Sequence, residues 1–280
     1  MDCMDTVASL LRATALPLPE ARILLSAALG WHRTQLITRD HEPLEPAAVS
    51  RYRALEARRQ AGVPVAQLIG AREFFGLEFE VTPAVLIPRP ETELLVDTAL
   101  TVLAEVAHPR VLDLGTGTGA IAIALAAMRP EARVWAVERS PDALAVATRN
   151  AARLLDAARP GGPLQLRQGD WYAALDDGLQ FDLIVSNPPY IASGDPHLAS
   201  GDLRFEPRAA LTDEADGLSA IRQIIDGATG WLVPHGTLWI EHGYDQAAAV
   251  RSRLAAQHFA NVHSVRDLAG IERISGGKMA

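Results

Sequence analysis

The sequence predicts an α/β protein in which a small helical bundle precedes a mostly parallel sheet that helices cover on both faces. From Arg110 onward, β-like runs alternate with helical segments, the pattern of a parallel sheet buried on both faces. Before residue 60, apolar residues recur at helical spacing, and Pro17, Gly30 and Pro46 interrupt them, as expected for short packed helices. A chain of 280 residues is long for one compact domain, so we expect two.

The same patterns place the individual elements. Residues 73–81 alternate around Gly76, which predicts a hairpin. We therefore expect a helical domain at 1–70, a hairpin linker at 71–90 and the sheet domain at 91–280. The predicted strands of the sheet span 111–114, 134–137, 164–167, 183–186, 237–241, 262–265 and 273–275. The helices between them are expected to begin near Gly119, Pro141, Gly217 and Asp245.

Composition and charge narrow the classes of function. Hydrophobic residues make up 49% of the chain and charged residues 21%, ordinary values for a protein with a sizeable core. The formal net charge of −8 disfavours sequence-independent binding to a polyanion, which depends on Lys and Arg. Direct binding to nucleic acid is therefore not expected.

Cysteine and histidine usage argues against a disulfide framework and a metal centre. Cys3 is the only cysteine, and the eight histidines lack the short ligand spacing of a zinc site. No apolar run reaches membrane-spanning length, and the first residues lack the pattern of a secretory signal. We expect a cytoplasmic protein without a metal ion or a membrane segment.

A glycine-rich turn follows the first predicted strand of the sheet. Gly115, Gly117 and Gly119, separated by Thr116 and Thr118, connect an apolar strand to a helix. Such a turn lets a ligand approach the backbone at the carboxyl edge of a sheet, and we expect all five residues to bind a cofactor. The glycines also fit the dinucleotide fingerprint, so hydride transfer is an alternative at this point.

Two acidic residues at strand ends favour one cofactor over the other. Asp113 lies two residues before the first glycine, where a carboxylate suits a cationic amino-acid ligand but repels a diphosphate. S-adenosylmethionine carries an ammonium and a sulfonium, so Asp113 favours it. Glu138 ends the next strand and can accept hydrogen bonds from both ribose hydroxyls of either cofactor. The structural alternative is that Asp113 caps the loop and Glu138 is an exposed strand end.

The run Asn187-Pro188-Pro189-Tyr190 follows another apolar strand and indicates the chemistry. The prolines stiffen the backbone at the sheet edge where ligands bind. The Asn187 side-chain oxygen and the Pro188 carbonyl can accept both hydrogens of a target NH₂ group, and Tyr190 can stack on a planar target. Hydride transfer has no use for this arrangement. A Pro-Pro turn that begins at an asparagine is the structural alternative.

Trp171 and Asp170 follow the third predicted strand. We expect Trp171 to pack against an adenine and Asp170 to accept from the exocyclic amine of that base. A tryptophan that only fills the core is the alternative for Trp171.

At this point the chain resembles the release-factor glutamine methyltransferases, which modify the glutamine of the Gly-Gly-Gln motif in peptide-chain release factors. The resemblance covers nearly the whole length and includes the segments 86–93, 113–120, 187–190 and 204–207. It implies a seven-stranded, mostly parallel, Rossmann-like methyltransferase sheet whose last strand is antiparallel. The tail at 274–278 looks less like the family, which affects only the last strand.

The resemblance also implies roles for individual residues. Within segment 86–93, we expect Arg89 to bind the substrate. The family pattern assigns cofactor binding to Gly115 through Gly119, Glu138, Trp171 and Asn187, and substrate binding to Asn187, Pro188, Pro189 and Tyr190. It implies S-adenosylmethionine as cofactor and peptide chain release factors as partners. Because a glutamine side chain alone offers little binding energy, we expect the helical domain to recognise the release factor.

Two other functions remain as alternatives. Amino-methylation of adenine or guanine in nucleic acid uses the same Asn-Pro-Pro-aromatic chemistry, although the acidic charge and the lack of a basic recognition domain oppose it. A binding module that kept the fold and lost catalysis is disfavoured by the intact Asn187, Asp113 and glycines.

Overall fold

The computed structural model describes residues 5–280, and Cys3 lies outside them. The chain divides into two compact units, 1–71 and 72–280. The boundary lies one residue from the end predicted for the helical domain. Within the described residues, no helix is long and apolar enough to cross a membrane.

The first unit is a bundle of short helices, as the sequence predicts. A capping box between Thr6 and Ser9 begins the first helix, and Gly30 ends the second in a left-handed conformation. Leu24, Leu25 and Tyr52 are fully buried in its core. The helices are α1 (Val7–Ala13), α2 (Leu18–Leu29), α3 (Arg33–Thr38), α4 (Pro46–Gln60) and α5 (Val65–Ile69).

The predicted hairpin is present as β1 (Ala71–Phe74) and β2 (Leu77–Glu80). Phe75 and Gly76 connect the strands with φ of 51° and 76°, the left-handed geometry that tight two-residue hairpins require. Phe74 and Phe79 are buried in the core of the second unit. Most of the hairpin is therefore packed into the second unit.

The second unit contains a seven-stranded sheet in the order β5-β4-β3-β6-β7-β9-β8. All seven predicted strands are confirmed, and β9 is antiparallel to both β7 and β8. The strand order reverses between β3 and β6, which places the ligand-binding crevice at their carboxyl ends. The strands are β3 (Arg110–Leu114), β4 (Arg133–Glu138), β5 (Gln165–Gln168), β6 (Phe181–Ser186), β7 (Leu232–Glu241), β8 (Phe259–Arg266) and β9 (Glu272–Met279).

Helices cover both faces of this sheet. Along β3, Val111 packs on one face, whereas Leu112 and Leu114 pack on the other. The four predicted helix starts are confirmed to within two residues. The sequence analysis missed one helix, α6 (Glu93–Val102), although its buried Leu95, Val96 and Ala99 have helical spacing. The helices are α6 (Glu93–Val102), α7 (Ala120–Met128), α8 (Pro141–Leu154), α9 (Arg208–Leu211), α10 (Ser219–Ala228) and α11 (Ala247–Ala256).

The glycines in the divergent tail are explained by packing. Gly276 lies in β9 opposite Trp239 of β7. A Cβ at Gly276 would lie 2.3 Å from the Trp239 ring and 2.4 Å from the Leu238 carbonyl oxygen. The tail is therefore a strand in which glycine makes room for a tryptophan.

Candidate active site

A cavity of about 440 Å³ lies at the carboxyl ends of β3, β4, β5 and β6. Its lining residues all belong to the second unit. Most of the predicted cofactor residues line it, as do Arg89, Asn187 and Pro189, whereas Asp113, Gly119, Pro188 and Tyr190 do not. The cavity thus brings the glycine-rich turn and the Asn-Pro-Pro segment to one site.

The glycine-rich turn has a backbone that only glycine adopts easily. Gly115, Gly117 and Gly119 have φ of 74°, 57° and 84°, all in the left-handed region. Gly119 is the residue before α7. A Cβ on Gly115 would lie 3.4 Å from the Trp171 ring, an ordinary contact distance. The backbone conformation is therefore what requires glycine at 115.

Asp113 lies beneath the turn and is fully buried. Its Oδ2 accepts hydrogen bonds from the Thr116 hydroxyl at 2.6 Å and from the Ala122 amide at 3.2 Å. Burial raises the pKa of Asp113 to about 7, although these hydrogen bonds oppose the rise. Its Oδ1 is also buried and has no partner within residues 5–280. Asp113 thus supports the turn and retains one unpaired acceptor.

Glu138 lines the cavity with a carboxylate that the backbone already holds. Oε2 accepts from the Gly117 amide and Oε1 from the Ser140 amide, each at 2.9 Å. Each oxygen retains a second lone pair. The carboxylate is therefore fixed in place and can accept two further hydrogen bonds from a ligand.

Trp171 and Asp170 line the cavity next to the turn. Trp171 has a positive φ of 45°, which is uncommon for a large side chain. The strained backbone places the indole against Gly115. The pair therefore forms a wall of the cavity on the side of β5.

The Asn187 amide has a defined orientation at the end of β6. Its Nδ2 donates to the Thr92 hydroxyl oxygen at 3.1 Å. In the described part of the chain, no donor reaches Asn187 Oδ1 or the Pro188 carbonyl oxygen. Asn187, which lines the cavity, therefore retains a free acceptor, and the adjacent Pro188 carbonyl is a second free acceptor on a buried residue outside the lining.

Tyr190 has partners away from the cavity. Its hydroxyl donates to Glu241 Oε1 at 3.2 Å, and its carbonyl oxygen accepts from Gln246 Nε2 at 2.9 Å. The ring packs on the core between the sheet and α10 and α11. Burial, together with the neighbouring Glu241 carboxylate, raises the pKa of Tyr190. These contacts brace the end of the Asn-Pro-Pro-Tyr segment.

Glu241 was missed by the sequence analysis. It ends β7, directly beside β6, and is 2% exposed. Burial raises the pKa of Glu241 to about 7, while interactions with the hydroxyls of Thr92 and Tyr190 lower it. The sequence did contain a signal for Glu241, because it is an acidic residue at the end of an apolar strand, as Glu138 is.

Arg89 joins two segments that lie far apart in sequence. Its guanidinium donates to Glu206, whose side chain is fully buried. Glu206 Oε2 also accepts from the Ile87 amide at 2.9 Å. The segments 86–93 and 204–207, both part of the resemblance, are therefore held together by one carboxylate.

Comparison with known proteins identifies the family. Residues 2–70 match the PrmC N-terminal domain, and residues 91–202 match the methyltransferase small domain. The release factor glutamine methyltransferase of Burkholderia pseudomallei (strain K96243) is 67% identical over 274 residues, covering 98% of this chain and 96% of that protein. The chain belongs to the release factor glutamine methyltransferase family. The family member from Bordetella pertussis (strain Tohama I) is 55% identical over 98% of this chain and 99% of its own length.

Solved structures show the fold of this family member. The hMettl16 catalytic domain, in complex with a MAT2A 3'UTR hairpin, has a TM-score of 0.59 at 16% identity and covers 81% of each chain. The T. thermophilus 16S rRNA N2 G1207 methyltransferase, in complex with AdoMet and guanosine, has a TM-score of 0.54 at 19% identity, covering 75% of this chain and 50% of that one. The family match and the methyltransferase small domain, rather than these structures, make the chain an S-adenosylmethionine-dependent methyltransferase, as the sequence predicts.

Proposed function

We propose that this enzyme methylates the side-chain amide nitrogen of the glutamine in the Gly-Gly-Gln motif of a release factor, and that Asn187 and Pro188 hold that nitrogen. The relatives are named for release factor glutamine as substrate. The observation that carries the proposal is the orientation of Asn187, whose Nδ2 is engaged by Thr92 while Oδ1 remains available. A target NH₂ group presents two hydrogens, which suits two acceptors.

The proposed chemistry follows from the weak nucleophilicity of an amide. Its nitrogen lone pair is delocalised into the carbonyl, so the enzyme must pyramidalise the nitrogen and hold it near attack distance, about 3–3.5 Å. When bound, S-adenosylmethionine would supply the methyl group from its sulfonium, the carbon–sulfur bond breaking as the carbon–nitrogen bond forms, and would leave as a neutral thioether. Hydrogen bonds to Asn187 Oδ1 and the Pro188 carbonyl stabilise the positive charge that develops on the nitrogen, which then loses a proton to solvent.

The residues in the cavity fit the cofactor. We assign the ribose to the fixed Glu138 carboxylate and the adenine to Trp171 and Asp170, with the backbone of the turn from Gly115 to Gly119 beside them. Asp113 is buried beneath the turn and does not line the cavity, so we assign it to supporting the turn through Thr116 and Ala122. Arg89 is held by Glu206 at the cavity wall and is assigned to the substrate.

We further propose that the helical unit recognises the release factor and that the enzyme acts in the cytoplasm, where translation ends. A net charge of −8 opposes tight, nonspecific binding to nucleic acid. Methylation of adenine or guanine is not favoured, because the relatives are named for a protein substrate, the release factor. Release factor is therefore the proposed partner.

The function is tested by incubating the purified enzyme with a purified release factor and labelled cofactor, followed by peptide mass mapping. We expect one added methyl group on the Gly-Gly-Gln peptide and none on a factor in which alanine replaces that glutamine. A parallel reaction contains DNA and RNA oligonucleotides in place of the factor. Label transferred to these, with none on the factor, would support base methylation instead.

Glu138→Ala is expected to weaken S-adenosylmethionine binding by about 1.5–3 kcal/mol, because charge-assisted hydrogen bonds to the ribose are lost. The variant also loses the bonds that fix Gly117 and Ser140. Isothermal titration calorimetry measures the effect. Glu138→Gln is the control, since it keeps the size and one acceptor and should bind with intermediate affinity. Wild-type affinity in the alanine variant would place the ribose elsewhere.

A further inference from the structure

We propose that Thr92 is a positioning residue for methyl transfer. In this proposal the Thr92 hydroxyl donates its hydrogen to Glu241 and accepts from the Asn187 amide. It thereby selects the amide orientation that presents the Asn187 oxygen to the target nitrogen. The proposal deepens the proposed function and rests on it, because it assumes that Asn187 Oδ1 accepts from a substrate NH₂ group.

Thr92 lies at the N-terminus of a helix but does not cap it. It ends a 3₁₀ turn, Pro90–Thr92, that continues directly into α6, and its backbone is helical with φ of −69° and ψ of −19°, so no N-cap hydrogen bond is expected. No such bond forms, and Thr92 is only 4% exposed. Its hydroxyl instead accepts from Asn187 Nδ2, 95 residues away in sequence. The hydroxyl therefore has no capping role and contacts the active-site asparagine.

The register of the sheet places Glu241 at the same edge as Asn187. β6 and β7 are parallel neighbours, and Ser186 pairs with Ile240. Asn187 and Glu241 are the next residues on their strands, so they end at the same sheet edge. The Tyr190 hydroxyl donates to Glu241 Oε1, while Oε2 is buried without a partner in the described part of the chain. The carboxylate therefore retains one free acceptor, and its interaction with the Thr92 hydroxyl lowers the pKa of Glu241.

The direction of the hydrogen bonds follows from proton count. A threonine hydroxyl has one hydrogen to donate. An ionised carboxylate can accept a hydrogen bond from it but has no hydrogen of its own to donate to the threonine oxygen. With that hydrogen turned to Glu241, the Thr92 oxygen can only accept from Asn187. The amide therefore directs Nδ2 to Thr92 and leaves Oδ1 for the substrate. If the amide were flipped, its NH₂ group would face the NH₂ group of the target. Both groups are donors, so no hydrogen bond could form between them.

Thr92→Val tests the proposal because valine keeps the branched shape and removes only the hydroxyl. We expect kcat on the release factor to fall on the order of 10–10²-fold, the scale of a misplaced catalytic group. The KM for the factor, S-adenosylmethionine affinity and melting temperature should stay near wild type, since no helix cap is lost. Thr92→Ser, which restores the hydroxyl, should recover most of the rate. All rates are measured at about pH 8.5, where Glu241 is mostly ionised.

Glu241→Gln is a second variant, and it remains informative if Thr92→Val folds poorly. A glutamine amide can donate to the Thr92 oxygen and so release the Thr92 proton toward Asn187 Oδ1. We expect a fall in kcat in the same range. Wild-type kcat in either folded variant, or equal losses in Thr92→Val and Thr92→Ser, would overturn the proposal.

A readout without substrate separates this inference from the proposed function. The sequence contains three asparagines, Asn150, Asn187 and Asn261, so selective ¹⁵N-asparagine labelling gives three side-chain NH₂ signals. We expect Thr92→Val to shift the Asn187 signal and speed its hydrogen exchange, and Thr92→Ser to preserve both. Asn150, which donates to the Glu80 and Thr118 carbonyls, should be unchanged.

Failure of the proposed function and failure of the positioning role give different experimental results. A wild-type enzyme that does not methylate the factor, with the expected change in the Asn187 signal, would refute the proposed function and leave the Thr92 contact standing. An Asn187 signal that is identical in wild type and Thr92→Val would refute the positioning role.

Discussion

Asn187→Ala is expected to lower the rate of methyl transfer to the release factor by about 10²–10³-fold, the usual effect of removing one preorganised donor or acceptor from a developing charge. The side chain contributes one of the two acceptors proposed to hold the target nitrogen, and its Nδ2 contact with Thr92 keeps that acceptor in place. Single-turnover rates with saturating cofactor measure the chemical step. Cofactor affinity should fall only modestly, because Glu138 and the glycine-rich turn remain.

Asn187→Asp is the matched control for this experiment. Aspartate has nearly the same size and keeps an acceptor oxygen, so it should retain more activity than alanine. It lacks the NH₂ group that donates to Thr92, so it should remain slower than wild type. Turnover near wild type in Asn187→Ala would show that the side chain does not contact the reacting nitrogen.

A chain beginning at Arg72 is expected to bind S-adenosylmethionine normally and to methylate the release factor on the order of 10²-fold more slowly. The described division into units falls between Ala71 and Arg72, and all residues that line the cavity lie beyond it. A glutamine side chain alone offers little binding energy, so contacts remote from the chemistry must orient it. Calorimetry and steady-state rates on the intact factor measure the two properties.

A short Gly-Gly-Gln peptide provides the control for the truncated chain. Both forms should methylate it slowly and at similar rates, because the peptide lacks the surface that the helical unit is proposed to recognise. Equal rates on the intact factor would refute the recognition role. Loss of cofactor binding would show instead that the two units depend on each other to fold.

Some features of the site could have been predicted more fully from local pattern. The alternation along β3 puts Asp113 on the opposite face from Leu112 and Leu114, so period-two reasoning places its carboxylate beneath the turn, next to the start of α7. The helical spacing within α6 was likewise present in the sequence. Glu241 could have been noted as an acidic end of an apolar strand.

The sequence by itself determined the strand-turn-helix that carries the glycines, the seven strands, the helical bundle and the Asn-Pro-Pro-Tyr segment. These depend on side-chain periodicity and on the backbone preferences of glycine and proline, which act over a few residues. Only the tertiary structure decided which side chains meet. Thr92 contacts Asn187 across 95 residues, and Arg89 contacts Glu206 across 117. Such pairs depend on strand order and helix packing, and no local spacing specifies them.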